Sequence, residues 1–180
     1  MEEVSLFNVF QTPREGFSAA NLKHVYYDLM KKAHPDSSFA LPREEKEKLS
    51  SFINSSYNKL RDDYARSVYE YSLKNNQNLI RRRFDGAGKI FGLGDPLVVV
   101  DSEKERVGCD RKSASTEFLD SVLSMEEEIL NGTAQDRERV QRKVEEEIEK
   151  CKQNSTDLQE LVKWRYYRRL QDALKQKDLE

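Results

Sequence analysis

Apolar residues in the first 74 positions recur at the spacing of helical turns. Ser18 is a suitable N-cap for one such set, and a second set follows it along the chain. The apolar faces of these two predicted helices carry Leu22, Val25, Tyr26, Leu29 and Ala33 in the first, and Leu49, Phe52, Ile53, Tyr57 and Leu60 in the second. Shorter sets predict a helix before Pro13 and another after Asp62 and Asp63. The N-terminal part is therefore predicted to be a four-helix unit.

A proline interrupts the pattern between the two longer helices. Pro35 disfavours a helical backbone at His34, so the first long helix is expected to end there. Taken alone, His34-Pro35-Asp36 also fits an ordinary turn, because proline stops a helix and aspartate bonds to nearby backbone. The tripeptide by itself leaves a functional and a purely structural role open.

Three further apolar stripes lie between residues 116 and 180. Asn131 and Gly132 end the first of these predicted helices, and Asp157 can cap the third. The stripes are Phe118, Val122, Met125 and Ile129; Val140, Val144, Ile148 and Cys151; and Leu158, Val162, Tyr166, Leu170 and Ala173. Three helices joined by short connections predict an up-down-up bundle.

Residues 75–115 lack this periodicity. Five of the seven glycines and Pro96 fall in this stretch, so we predict a loop that connects the two helical blocks. Within it, Leu97–Val100 is either a short strand or an apolar segment packed over the junction, and the pattern fits both.

The composition agrees with a helical protein. Charged residues make up 36% of the chain, and the 7 Gly and 4 Pro are few. The 31 Lys and Arg nearly balance the 33 Asp and Glu, for a formal net charge of -2, so we expect no nucleic-acid partner. The longest apolar run, Leu97–Val100, is far shorter than the roughly 20 residues of a membrane span. We therefore expect no membrane association.

The sequence offers few groups for catalysis or metal binding. Cys109, Cys151 and the two histidines are too few for a disulfide framework or a four-ligand zinc site, so we expect no metal and no cofactor. Gly86–Gly92 lacks the glycine and the Ser or Thr that a phosphate-binding loop places around its Gly-Lys pair. His24 and His34 have no nucleophile motif near them. We predict that the chain is not an enzyme.

Several segments resemble J-domain co-chaperones in their order and separation. Tyr26–Asp36, YYDLMKKAHPD, resembles the second helix and signature loop of that family, and Ile53–Leu60, INSSYNKL, resembles the third helix. Leu60–Tyr69 is similar to the segment that leads into the fourth helix in the iron-sulfur assembly branch, the HscB or Jac type, with Asp63 where proline is usual. Phe118–Trp164 is similar to the C-terminal three-helix bundle of that branch.

The resemblance implies an L-shaped, all-α co-chaperone. Residues 1–74 would form the J domain, a helical hairpin with short flanking helices, and the 75–115 loop would lead to a scaffold-binding three-helix bundle over residues 116–180. By resemblance, the J domain stimulates ATP hydrolysis by a DnaK-type heat-shock chaperone. The bundle delivers the iron-sulfur cluster scaffold protein to that chaperone and so promotes cluster transfer. The alternatives are a non-catalytic helical scaffolding protein and a J protein for a different client.

The family's eukaryotic branch implies a location in the mitochondrial matrix or a mitochondrion-related organelle. The acidic start, Met1–Val4, has neither an apolar signal segment nor an Arg-rich presequence. The cytoplasm is therefore the alternative, unless a targeting signal is internal or has been removed.

The resemblance places the chaperone contact at the His-Pro-Asp turn, supported by three lysines of the preceding helix. These residues are His34, Pro35, Asp36, Lys23, Lys31 and Lys32. Pro35 would fix the turn, Asp36 would offer a carboxylate to a chaperone arginine, and the lysines would steer association toward an acidic groove. The alternative for the lysines is an ordinary solvated helix face.

The resemblance places the scaffold contact on the bundle. The matched positions are Leu119, Asp120, Leu123, Glu127 and Trp164, with Asp120 where the family has an apolar residue. Leu119, Leu123 and Leu130 also form a second apolar line, about 100° around the helix from the stripe that begins at Phe118. Trp164 lies off the predicted stripe of the third helix, as an exposed interface anchor would. The alternative is that the bundle buries broad helix faces.

Overall fold

The structure is a computed structural model that describes residues 3–103 and 114–178. The chain divides into two compact units, Met1–Lys104 and Glu105–Glu180. The predicted fold class is confirmed in its main features, because helices make up most of both units. The structure adds a small β-sheet to the first unit.

The four helices predicted for the first unit are all present. They are α1 (Leu6–Val9), α2 (Ala19–Ala33), α3 (Arg43–Arg61) and α4 (Asp63–Asn75). The Ser18 hydroxyl caps α2 by accepting from the Asn21 amide at 3.2 Å. Asp62 caps α4 in the same way. Asp63 is then the first residue of α4, a position that suits both proline and a carboxylate.

The two longer helices, α2 and α3, pack against each other through their apolar faces. Leu22 and Leu29 of α2 are buried, as are Leu49, Ile53 and Leu60 of α3. Together with Phe7 and other residues of α1 they form one hydrophobic core. Because this core involves both helices of the hairpin, the turn between them is fixed at its two ends.

The predicted loop over residues 75–115 is wrong for most of its described part. Strands β2 (Leu79–Phe84) and β3 (Leu97–Ser102) lie there, and the short helix α5 (Gly88–Phe91) lies between them. β3 is the central strand of a three-stranded sheet, antiparallel to β2 and parallel to β1 (Glu3–Ser5). Leu97–Val100 is therefore a strand. Cys109 and the rest of 104–113 lie outside the described residues.

The sheet forms because β3 has partners that are distant in sequence. Its β-branched valines suit a strand. The strand that pairs with it in parallel is the N-terminal segment, where Val4 lies opposite Val99. The sheet packs on the helices: the Phe84 ring lies 4.7 Å from that of Phe52 on α3. The Tyr69 hydroxyl of α4 donates to the Val100 oxygen at 2.6 Å. The sheet thus belongs to the first unit and is not a linker.

The second unit contains the three predicted helices, α6 (Thr116–Asn131), α7 (Ala134–Gln153) and α8 (Leu158–Lys177). The predicted core stripes of α6 and α7 are confirmed, except that Phe118 is only half-buried. The stripe of α8 differs from its prediction. Its buried residues are Leu161, Val162, Trp164, Tyr167, Leu170 and Leu174, while Leu158, Tyr166 and Ala173 are half-buried. Steps of four residues drift by about 40° each around a helix, so a stripe that begins at Leu158 does not follow one face and reaches the buried face only toward Leu170.

Within residues 3–103 and 114–178, no helix is both long and apolar enough to cross a membrane. The same residues contain no cluster of three His, Cys, Asp or Glu side chains that could hold a metal ion.

Candidate functional site

The turn after α2 has a defined backbone. His34 leaves the helical conformation, with φ -58° and ψ 140°, as expected for a residue before proline. Its amide still donates to the Met30 oxygen at 2.9 Å, and the Ser37 amide donates to the His34 oxygen at 2.9 Å. Pro35 and Asp36 therefore form the tip of a closed turn.

The two polar side chains of the turn face solvent. The His34 side chain is 56% exposed and that of Asp36 is 85% exposed. The Asp36 amide donates to the His34 Nδ1 at 3.2 Å, so in the neutral ring the proton sits on Nε2. The Asp36 carboxylate lies 3.8 Å from Nδ1, beyond hydrogen-bond distance, and keeps its acceptor oxygens available. The turn presents a donor and a carboxylate side by side.

Polar side chains hold the backbone on both sides of the turn. The Ser50 hydroxyl of α3 donates to the Ala33 oxygen at 2.7 Å. The Ser37 hydroxyl donates to the Lys32 oxygen at 2.7 Å, and Lys46 Nζ of α3 donates to the Ser37 oxygen. Sequence reasoning missed Ser50 and Lys46. The available signal was that Lys46 stands three residues before Leu49, on the apolar side of α3, where a lysine needs a buried partner.

The predicted chaperone-binding lysines do not lie together. A shallow groove brings Lys31 to His34 and Asp36, and its other lining residues are Tyr27, Met30 and Ser37. Lys23 and Lys32 do not line this groove. Nine positions separate those two lysines, which places them about 180° apart around α2. Lys32 Nζ reaches instead to the Ile90 oxygen of α5, at 3.5 Å.

The predicted scaffold-binding residues of α6 form an exposed strip with apolar and acidic side chains. Leu123 is 56% exposed, Asp120 and Glu127 are exposed, and Leu119 is half-buried. Leu130, near the end of α6, is also exposed but is not among the predicted scaffold-binding residues. The buried line of α6 runs through Val122, Met125 and Ile129, so the strip is an additional face of the helix.

Trp164 does not belong to this exposed strip. It is 3% exposed and lies on the buried face of α8. The expectation of an exposed anchor depended on a stripe drawn in steps of four residues from Leu158. The true buried face is centred near Tyr167 and includes Trp164. Trp164 is therefore part of the bundle core.

Cys151 is the one cysteine among the described residues, and it is buried. Burial, together with the nearby Glu160 carboxylate, raises the pKa of its thiol to about 12. The thiol therefore stays protonated at neutral pH and is not prepared to act as a nucleophile.

No protein-family model and no curated protein sequence matches the chain. A search of solved structures finds the crystal structure of the human co-chaperone protein HscB, with a TM-score of 0.67 and 17% sequence identity. The match covers 96% of this chain and 81% of the human chain. This likeness establishes that the two proteins share a fold.

Proposed function

We propose that this protein is a J-domain co-chaperone of iron-sulfur cluster assembly. It stimulates ATP hydrolysis by a DnaK-type heat-shock chaperone and delivers the iron-sulfur scaffold protein to that chaperone, which promotes cluster transfer. The fold shared with human HscB supports this proposal. The observation that carries it is the exposed His34-Pro35-Asp36 turn at the end of the α2–α3 hairpin.

The turn suits a contact with a chaperone because its backbone is held while its side chains are open. Hydrogen bonds fix the oxygens of Ala33 and Ser37 on either side of the tip. Binding then costs little loop entropy. The Asp36 carboxylate accepts from a chaperone arginine, a charge-assisted pair, and Lys31 beside it adds electrostatic steering.

The scaffold contact proposed here lies on the exposed strip of α6. Leu119 and Leu123 offer apolar area, and Asp120 and Glu127 offer carboxylates to a basic group of the scaffold. Leu123 is the central residue of this contact, because more than half of its large apolar side chain is exposed and its burial by the scaffold would contribute favourable binding free energy. Trp164, being buried, supports the bundle without touching the scaffold.

In this proposal the protein has no catalytic activity of its own. One chain that binds both partners makes their meeting intramolecular and raises their effective concentration. Hydrolysis takes place in the chaperone. The proposed location is the mitochondrial matrix or a related organelle, with the cytoplasm as the alternative.

Two measurements test the proposal. ATP turnover by a DnaK-type chaperone is followed with and without the purified chain, and the immobilised chain is used to capture purified scaffold protein. We expect stimulation and capture. No stimulation would mean that the His-Pro-Asp segment is only a turn in a scaffolding protein. Stimulation without capture would assign the chain to a different client.

A further inference from the structure

The segment between β2 and β3 touches the chain on both sides of the His-Pro-Asp turn. This β2–β3 connection, residues 85–96, contains α5, whose Ile90 and Phe91 are buried in the core that also holds Leu29 and Ala33 of α2. Lys32, two residues before His34, reaches the connection through its Nζ and the Ile90 oxygen. The connection therefore packs under the C-terminal end of α2.

The connection also meets the segment that follows the turn. Gly86 has φ +76°, and a Cβ built on it would lie 2.9 Å from Cδ2 of Leu41. The backbone thus runs against the Leu41 side chain, at a place that only glycine fits. Leu41 itself packs against the hydrophobic core. The segments on either side of the turn are therefore held by α3 through Lys46 and Ser50, and by the β2–β3 connection through Lys32 and Leu41.

An exposed carboxylate sets the shape of the connection. Asp95 Oδ1 accepts from the Gly86 amide at 2.7 Å and from the Gly88 amide at 3.4 Å. The Leu93 amide donates to the Gly88 oxygen at 2.9 Å and closes the turn of α5. Asp95 holds the part of the connection that faces Leu41, and it is not among the residues that line the groove beside the turn.

We propose that the β2–β3 connection is a positioning element for the His34-Pro35-Asp36 turn, with Asp95 as its closing residue. If the connection loosens, fewer molecules have the turn in the conformation that binds the chaperone. The apparent affinity for the chaperone falls in proportion to that fraction of molecules, while the rate of ATP turnover at saturation does not change. This role rests on the proposed function only for the kinetic part, because the packing of the turn can be measured on the protein alone.

The test compares Asp95→Ala, Asp95→Asn and the control Asp85→Ala. Asn keeps an acceptor oxygen for both amides. Asp85 is an exposed aspartate of the same connection that pairs with Arg83, and it does not line the groove beside the turn. Amide hydrogen exchange is measured at His34 and Ser37, whose amides close the turn, with amides of α8 as an internal reference. ATP turnover is titrated with each variant.

We expect Asp95→Ala to speed exchange at both turn amides by about tenfold or more, with exchange in α8 unchanged. The concentration for half-maximal stimulation should rise about threefold or more at an unchanged saturating rate. Asp95→Asn and Asp85→Ala should match the wild type. Unchanged exchange at His34 and Ser37 in Asp95→Ala would overturn the proposal, as would an equal effect of Asp85→Ala.

Two further outcomes are also decisive. If the wild type stimulates no chaperone, the proposed function fails, and the exchange experiment still decides whether the connection positions the turn. If Asp95→Ala does not fold, Leu41→Ala removes the contact from the other side and should speed exchange at Ser37 in the same way. Wild-type exchange in a folded Leu41→Ala variant would refute the positioning role.

Discussion

Lys46 Nζ donates to the backbone oxygen of Ser37 at 2.5 Å, although Lys46 is only 6% exposed. A lysine is rarely buried to this extent unless its ammonium group has a partner. Here the partner is the carbonyl that follows the proposed binding turn. The arrangement links the interior of the α2–α3 hairpin to the residues it presents.

Lys46→Met tests this link, because methionine keeps most of the side-chain stem and loses the donor. We expect the variant to fold, because the loss of the hydrogen bond is offset by removal of the desolvation cost of a buried charge. The concentration for half-maximal stimulation of ATP turnover should rise severalfold. Lys48→Met is the matched control, because Lys48 is an exposed lysine of the same helix, paired with Glu44 and Glu45. A titration identical for both variants and the wild type would contradict this role of Lys46.

The sheet should depend on Asp101, which binds Lys59 Nζ at 2.6 Å and Arg82 Nε at 3.1 Å. Asp101 and Lys59 are both shielded from solvent, so Asp101→Ala leaves a buried ammonium group without its carboxylate. We expect it to lower the free energy of unfolding by about 3–5 kcal/mol. The exposed pair Arg83–Asp85 should contribute about 0–1 kcal/mol, measured as Asp85→Ala. Urea unfolding of the two variants compares these values, and equal losses would contradict the account.

Sequence reasoning predicted those parts of the fold that are encoded locally. Helices α2, α3, α6 and α7 follow from apolar residues that meet one or two turns apart in the same helix. The sheet does not, because β1 has only three residues and its partner β3 begins more than 90 positions later. A pairing of such sequence separation leaves no periodic signal in either segment.

The candidate site divides in the same way. His34, Pro35 and Asp36 are consecutive, so their sequence is enough to define the turn. Lys46, Ser50 and Asp95 act on it through folded contacts, and their sequence neighbours do not indicate this. Trp164 was predicted to be exposed because the assumed buried face of α8 was wrong by about one residue, which corresponds to a rotation of about 100° around the helix.

The two residues first assigned to one scaffold-binding surface should behave differently when truncated. Trp164→Ala removes a large buried side chain from the bundle and should lower the free energy of unfolding by about 3–5 kcal/mol. Leu123→Ala, at a side chain 56% exposed, should change it by no more than about 0.5 kcal/mol. Denaturant unfolding followed by circular dichroism measures both. A Trp164→Ala variant as stable as the wild type would contradict the assignment of Trp164 to the bundle core.

Scaffold binding should be lost when the exposed strip of α6 is changed without disturbing the core. Leu123→Ser combined with Glu127→Gln removes one apolar and one charged contact, and we expect scaffold affinity to fall at least about tenfold. Stimulation of the chaperone should stay at the wild-type level, since the turn lies in the other unit.

The matched control for this pair is Leu130→Ser combined with Glu145→Gln. Leu130 is as exposed as Leu123, and Glu145 is an exposed glutamate of α7. Isothermal titration with purified scaffold compares the two double variants. Equal losses of scaffold affinity in both double variants would mean that the binding surface extends beyond the four proposed residues. Wild-type affinity in the Leu123→Ser, Glu127→Gln variant would mean that the scaffold binds elsewhere.

The central claim is that the exposed turn activates a chaperone, and single-turnover ATP hydrolysis by a DnaK-type chaperone tests it most directly. Asp36→Asn keeps the size of the side chain and removes the charge that a chaperone arginine would bind. The account predicts unchanged helix content and melting temperature, hydrolysis at the unstimulated rate with Asp36→Asn, and full stimulation with the exposed control Asp85→Asn. Full stimulation by Asp36→Asn would contradict the account.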